Sequence, residues 1–95
     1  MNSSISISIQ KKIDSIVISV AKGEVITFGE IAEKIWGKKN CASLVGRYIF
    51  LQREREDYPW WRVVNACRGR YHPVANAFAI KMLEVEGHVL QNGRF

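Results

Sequence analysis

Between Thr27 and Leu51 the chain carries two helical stretches separated by a built-in break, and this constrains the fold more than any other feature. Thr27-Phe28-Gly29-Glu30 has the form of a capping box, in which the threonine hydroxyl accepts a backbone N–H and the glutamate carboxylate reaches back to the threonine N–H. Phe28, Ile31, Ala32 and Ile35 then recur at helical spacing, and Gly37 stands where a helix ends in a left-handed residue. Lys38 and Lys39 follow. Asn40 is placed to cap the next helix, whose inward positions are Cys41, Leu44, Val45, Tyr48 and Leu51. Two helices joined by a turn of about four residues that includes glycine form a helix-turn-helix.

The remaining segments must cover that pair. Ile9, Ile13, Ile16, Val17 and Val20 predict an amphipathic first helix over about Ile9 to Ala21, and the Ser-Ile alternation within 1–8 reads as a short strand or a frayed lead-in. QREREDYP closes the helix-turn-helix as a solvated face with charge pairs three or four residues apart. WWRVVNACRGRYHP mixes aromatic and β-branched residues around Arg68-Gly69-Arg70, an irregular loop leading into a short ribbon, or wing. Asn76 caps a last helix with Phe78, Ala79, Met82, Leu83 and Val85 on its buried side and Gly87 past its end, and HVLQNGRF adds an extended edge. The expected fold is mainly α with a small β element: a winged helix-turn-helix, a helix bundle plus wing, in one domain over 1–95.

With 95 residues, such a domain has one thin core, so function belongs on a surface or in a shallow pocket. Fourteen Lys plus Arg against nine Asp plus Glu leave a net charge of +5, which suits an anionic partner, nucleic acid being the commonest, and equally suits solubility. No apolar run approaches the ~20 residues of a membrane span, and MNSSISISIQKK lacks the order of a secretory signal, so no membrane contact and a cytoplasmic location are expected. Cys41 and Cys67, with no CxxC pair, fit a reducing compartment and free thiols. Together with His72 and His88 they match no zinc spacing, and no phosphate-cradling loop, nucleophile elbow or paired-carboxylate site is visible. No metal, cofactor or catalysis is expected.

From Gly23 to Phe95 the chain resembles the DNA-binding domain of O6-alkylguanine-DNA alkyltransferases, and more closely the alkyltransferase-like proteins. The matching blocks run from Gly23 to Ala32 (GEVITFGEIA, similar to G-x-V-x-T-Y-G-x-I-A), then Val45-Gly46, Pro59-Trp60-Trp61-Arg62-Val63-Val64 in place of P-C-H-R-V, Gly69-Arg70, and Leu83 to Gly87 (LEVEG). The resemblance implies a recognition helix that enters the minor groove and a neighbouring loop that forms a pocket for a flipped nucleotide.

The departures change the chemistry. Trp60 and Trp61 stand where the repair enzymes carry the acceptor cysteine and its histidine, and an indole has only an N–H donor where alkyl transfer needs an ionised, soft nucleophile. Phe28 and Ser43 stand where the family uses a tyrosine to rotate the target phosphate and an arginine to fill the gap left by the flipped base. Phe28 lacks the hydroxyl, and Ser43 is too short to replace an unstacked base.

The residues assigned to DNA contact are Thr27, Phe28, Lys38, Lys39, Ala42, Ser43, Gly46, Arg47 and Arg70, with Trp60, Trp61 and Arg62 around the lesion pocket. Ala42, Ser43 and Gly46 give the recognition helix a small-residue face suited to the ~6 Å minor groove, and equally to helix packing. Lys38, Lys39, Arg47, Arg68 and Arg70 could neutralise phosphates or form a solvated rim. Trp60, the tryptophan expected to stay partly exposed, either stacks on a base or plugs a vacant pocket. Arg62 suits anchoring of the loop, and Glu86, which matches the glutamate behind the family's histidine, takes a hydrogen-bonding role. The expected function is that of a monomeric, non-catalytic protein that binds double-stranded DNA and marks O6-alkylguanine for other repair proteins. The rivals are a DNA-binding regulatory or accessory module without lesion recognition, and a protein-interaction domain that has lost DNA binding.

Overall fold

A computed structural model describes residues 5–95. Helix α1 spans Ile7–Ile18, strand β1 Ile26–Thr27, α2 Phe28–Trp36, α3 Ala42–Leu51, β2 Val63–Cys67, β3 Arg70–His72 and α4 Ala77–Val85, with 3-10 turns at Lys39–Cys41 and Trp60–Arg62. The first four residues lie outside the described part. From Ser6 onward the Ser-Ile segment is neither strand nor frayed lead-in: the Ser6 hydroxyl accepts the Ile9 N–H at 3.2 Å and starts α1 two residues before Ile9. The helix ends at Ile18, short of Ala21, where the Ser19 hydroxyl donates to the Ile16 carbonyl at 2.7 Å.

The helix-turn-helix forms as its caps dictate. Thr27 Oγ1 accepts the Glu30 N–H at 2.9 Å, Glu30 Oε1 accepts the Thr27 N–H at 2.8 Å, and Gly37 closes α2 at φ 77°. Thr27 is buried, so Thr27→Ala leaves the Glu30 N–H without its partner; we expect a loss of about 1 kcal/mol, measured by urea denaturation.

Asn40 does not cap α3. It sits inside the 3-10 turn, which delivers an already coiled chain to Cys41, and the cap position makes no side-chain hydrogen bond. Of the expected inward residues of α3, Val45 is buried and Cys41, Leu44 and Tyr48 are half-buried, but Leu51 is 69% exposed and Ile49, outside that set, is buried in its place. A similar displacement affects α4. Asn76 Oδ1 caps the Phe78 and Ala79 N–H groups at 2.9 and 3.2 Å, and Ala79 and Leu83 form the buried line, which leaves Phe78 and Val85 largely exposed on the shoulders.

Strand β1 pairs parallel with β2 (Ile26↔Val63, Thr27↔Val64), and β2 pairs antiparallel with β3 (Asn65↔His72, Ala66↔Tyr71, Cys67↔Arg70). The two-residue turn between β2 and β3 has positive φ at both Arg68 (54°) and Gly69 (77°), the pattern of a tight hairpin. Glycine adopts that conformation freely, whereas Arg68 carries a left-handed cost of roughly 1–2 kcal/mol. The edge expected from HVLQNGRF forms at Phe95, whose N–H and carbonyl pair with those of Tyr71 at 2.9 and 2.7 Å.

One cluster of buried side chains joins the elements, with Ile13 and Val17 of α1 meeting Phe28, Ile31 and Ala32 of α2, Val45 and Ile49 of α3, and Tyr58, Trp60, Val63 and Ala79. Beside it, the Asp14 carboxylate accepts the Tyr58 hydroxyl at 2.9 Å, the Tyr48 hydroxyl at 3.1 Å and Arg55 Nη1 at 3.2 Å. Arg55 thus bridges to α1 and not to a carboxylate three or four residues away, and Arg53 lies over the Phe50 ring at 4.1 Å. Burial pushes the Tyr58 phenol well above its ordinary range, and its hydrogen bond to Asp14 adds to the shift.

Candidate nucleic-acid interface

A cavity of about 430 Å³ opens along α3. That helix contributes Ala42, Ser43, Gly46 and Arg47 with Ile49 and Phe50, Phe28 and Trp60 supply aromatic walls, and Asn65, Val74 and Ala75 complete the lining. Gly46 lies directly against Phe28: a Cβ built there would stand 3.6 Å from the Phe28 Cδ1 and Cε1 atoms. Ser43 and Arg47 are exposed, so α3 presents a short hydroxyl and a cation beside a largely apolar recess.

Trp60 lines this recess yet is only 4% exposed. Its ring stacks on Phe78 (centroids 5.9 Å apart, planes 20°) and meets Phe50 edge-on at 6.0 Å. The more accessible member of the tryptophan pair is therefore Trp61, contrary to expectation, because Phe78 on the shoulder of α4 covers Trp60.

Trp61 and Arg62, expected around the pocket, do not line it. Both turn to Glu86. Trp61 Nε1 donates to Glu86 Oε2 at 3.0 Å, Arg62 Nε to Oε1 at 3.0 Å and Arg62 Nη2 to Oε2 at 2.7 Å, while Arg62 Nη1 donates to the Val20 carbonyl at 2.9 Å. Burial opposes ionisation of Glu86, but the hydrogen bonds from Arg62 and Trp61 prevail and hold its carboxyl below the usual range. The guanidinium fork and carboxylate fasten the loop after Pro59 to the end of α4 and to the turn that follows α1.

Other expected contact residues are dispersed. Thr27 is buried, with its hydroxyl committed to the helix cap, and lies outside the cavity lining. Lys38 is exposed at the turn after α2, and the Lys39 side chain lies outside the described residues. Arg70 faces a separate concavity on the ribbon with Arg68. The lining residues Ile49, Phe50, Asn65, Val74 and Ala75 are not among those expected from the sequence. Phe50 follows Ile49 on a helix face that periodicity places one position away, and Asn65 needs the strand register, which no local signal provides. Cys41 is half-buried, Cys67 is exposed on the ribbon, and neither lines the α3 cavity. Among the described residues no group of three or more His, Cys, Asp or Glu is placed to hold a metal ion, and no helix is long and apolar enough to cross a membrane.

A capped helix pair, a β ribbon after it and a recess set between the second helix and an aromatic loop define a winged helix-turn-helix protein. Residues 8–88 match the family model of the 6-O-methylguanine DNA methyltransferase DNA-binding domain, and the chain belongs to that family. Its structure is similar to that of S. pombe Atl1 in complex with damaged DNA containing O6-carboxymethylguanine, with a TM-score of 0.73 and 27% identity over 97% of this chain and 85% of that one. It is also similar to S. pombe ATL in complex with DNA, with a TM-score of 0.72 and 26% identity over 99% of this chain and 89% of that one. No curated protein sequence matches it. Fold and family together place the chain with the alkyltransferase-like proteins.

Proposed function

We propose that this protein binds duplex DNA through α3, receives a nucleotide turned out of the stack in the adjoining cavity, and transfers nothing from it. The cavity carries this reading: its 430 Å³ fall within the 300–1,000 Å³ of small-molecule sites, it adjoins the small-residue face of α3, and Trp60 occupies the acceptor's place in its wall. Ala42 and Gly46 allow close approach within the narrow minor groove, and Arg47 supplies a phosphate contact. Likeness to a relative solved with damaged DNA supports the lesion as target. In this reading the bound monomer marks the site for other repair proteins.

Absence of transfer is tested by intact-mass spectrometry after incubation with O6-methylguanine DNA. An unchanged mass is expected, because the cavity wall offers indole and no thiolate. A stoichiometric gain of one methylene on any residue would refute it.

Lesion preference should be shallow. Extruding a base costs a few kcal/mol, and Ser43 on the cavity rim is too short to occupy the gap. A ratio of lesion to intact affinity within about tenfold, ~1.4 kcal/mol, is expected in matched-salt titrations. Phe28→Tyr with Ser43→Arg should raise that ratio, whereas a wild-type preference of about a hundredfold would show that another group performs the extrusion.

A further inference from the structure

Trp60 is strung between two carboxylates. After it in the chain, Trp61 and Arg62 donate to Glu86 at the end of α4. Before it, the Tyr58 hydroxyl donates to Asp14 Oδ1 of α1 at 2.9 Å. The same carboxylate accepts the Tyr48 hydroxyl of α3, 3.1 Å from each of its oxygens, and Arg55 Nη1 at 3.2 Å. One side chain of the first helix therefore meets both α3 and the loop that carries Trp60.

These two elements are facing walls of the α3 cavity. Tyr48 lies between Arg47 and Ile49, which line the cavity from α3, and Tyr58 lies two residues before Trp60, which lines it from the loop. Neither tyrosine is in the lining, so Asp14 holds both walls from behind. Each link is stiff. Tyr48 is inside a helix, and Pro59 (φ -80°, ψ 63°) turns the chain so tightly that the Trp60 N–H donates to the Tyr58 carbonyl at 2.8 Å, an inverse γ-turn.

The other connections between the walls are looser. The chain runs from α3 to Tyr58 through 52–57, where every residue but Gln52 is exposed. Ile49 and Phe50 meet the loop through apolar contact, which favours burial but sets no direction. Two phenol donors on one carboxylate do set a direction, because a hydrogen bond weakens steeply outside a narrow range of distance and angle. Asp14 is enclosed enough for this to count: its side chain is 20% exposed, and the Arg55 guanidinium covers its outer side while lying 4.8 Å over the Tyr58 ring.

We infer that Asp14 is a positioning residue for duplex binding: through Tyr48 and Tyr58 it fixes the spacing between α3 and Trp60, and with it the width of the recess. The inference rests on the proposed DNA binding and names the group that keeps its site formed before the duplex arrives. A recess set in advance spares the complex the cost of ordering two walls on binding.

The test is fluorescence anisotropy on a labelled duplex containing O6-methylguanine, with Tyr48→Phe, Tyr58→Phe, the double phenylalanine variant and Asp14→Asn. Each phenylalanine keeps the ring and removes only the hydroxyl. With either arm cut the walls are no longer tied, so each single variant should lose about five- to tenfold in affinity, and the double variant little more than either alone. Asp14→Asn should fall in the same range. The salt slope should keep its wild-type value throughout, since no cation facing the duplex has changed. Ile13→Val separates spacing from stability: it removes one methylene from a buried neighbour on α1, lowers the urea midpoint and leaves the carboxylate in place, so it should bind as the wild type does. Wild-type affinity in both tyrosine variants, losses that add in the double variant, or an equal loss in Ile13→Val would reduce the network to a contribution to stability and overturn the positioning role, with DNA binding by α3 left standing. A wild type that binds no duplex at low salt would overturn both this inference and the reading beneath it.

Discussion

Glu86→Ala should remove about 3–5 kcal/mol of stability, because it leaves a guanidinium and an indole N–H enclosed without an acceptor. The Arg62 and Glu86 side chains are only 15% and 2% exposed, and the carboxylate receives both Arg62 and Trp61. Against a total of about 5–15 kcal/mol for a domain, such a loss brings the chain close to unfolding at ambient temperature. Glu86→Gln retains one acceptor and loses the charge, so it should fall between the alanine variant and wild type. Replacing Arg62 and Glu86 together by leucine should recover much of the loss, since no charge is then left buried alone. The measurement is the urea midpoint, with an unchanged m-value showing that the native and unfolded states keep their extents.

Acid should act through the same group. The folded carboxyl titrates below its ordinary value of 4.5, so its contribution is complete above about pH 5.5 and is lost as the pH falls through 4.5 and then through the lowered folded value. Glu86→Ala should flatten that acid limb. Equal urea midpoints for wild type and Glu86→Ala would mean that the pairing makes no net contribution.

What was legible in the sequence lies mostly within one turn of helix. The capping box at Thr27, the left-handed Gly37 and the Asn76 cap each depend on residues no more than four apart, and each formed as read, whereas the stretch read as an irregular loop and short ribbon around Arg68-Gly69-Arg70 is a two-residue hairpin between β2 and β3. Resemblance then supplied the arrangement of these pieces, including the loop at Trp60. Errors arose where an element's orientation depends on its neighbours. Periodicity places Val45 inward on α3 but takes Leu51 where the core with α1 and α2 takes Ile49.

Distance along the chain hid the rest. Asp14 is 34 and 44 residues from the tyrosines whose hydroxyls it accepts, and in the sequence it is one charge on an amphipathic helix. Trp61 belongs to the expected pocket because it stands where the family carries its histidine, yet its indole N–H donates to the Glu86 carboxylate at 3.0 Å. That contact fixes the ring away from the recess. Phe78 illustrates the converse: its place in an apolar pattern reads as core, but it lies half outside and shields Trp60.

Gly46→Leu should abolish duplex binding, by about a hundredfold or more, ~2.7 kcal/mol, while the protein remains folded. Gly46 belongs to the one helix face that meets the cavity, and its missing side chain leaves the Phe28 ring edge open to the recess. A leucine must extend past that ring into the space proposed for the nucleotide, or outward into the gap between α3 and the groove. Gly46→Ala separates space from backbone freedom. Its methyl would stand 3.6 Å from Phe28, an ordinary contact, and an alanine inside a helix is favoured over glycine by roughly 0.5–1 kcal/mol. The alanine protein should therefore melt higher than wild type and bind duplex almost as well, whereas the leucine protein should fold and bind nothing specifically. Two folded variants at one position, differing in binding and not in charge, would tie recognition to close approach along α3. Duplex binding by Gly46→Leu at wild-type affinity and salt slope would move the interface away from this helix.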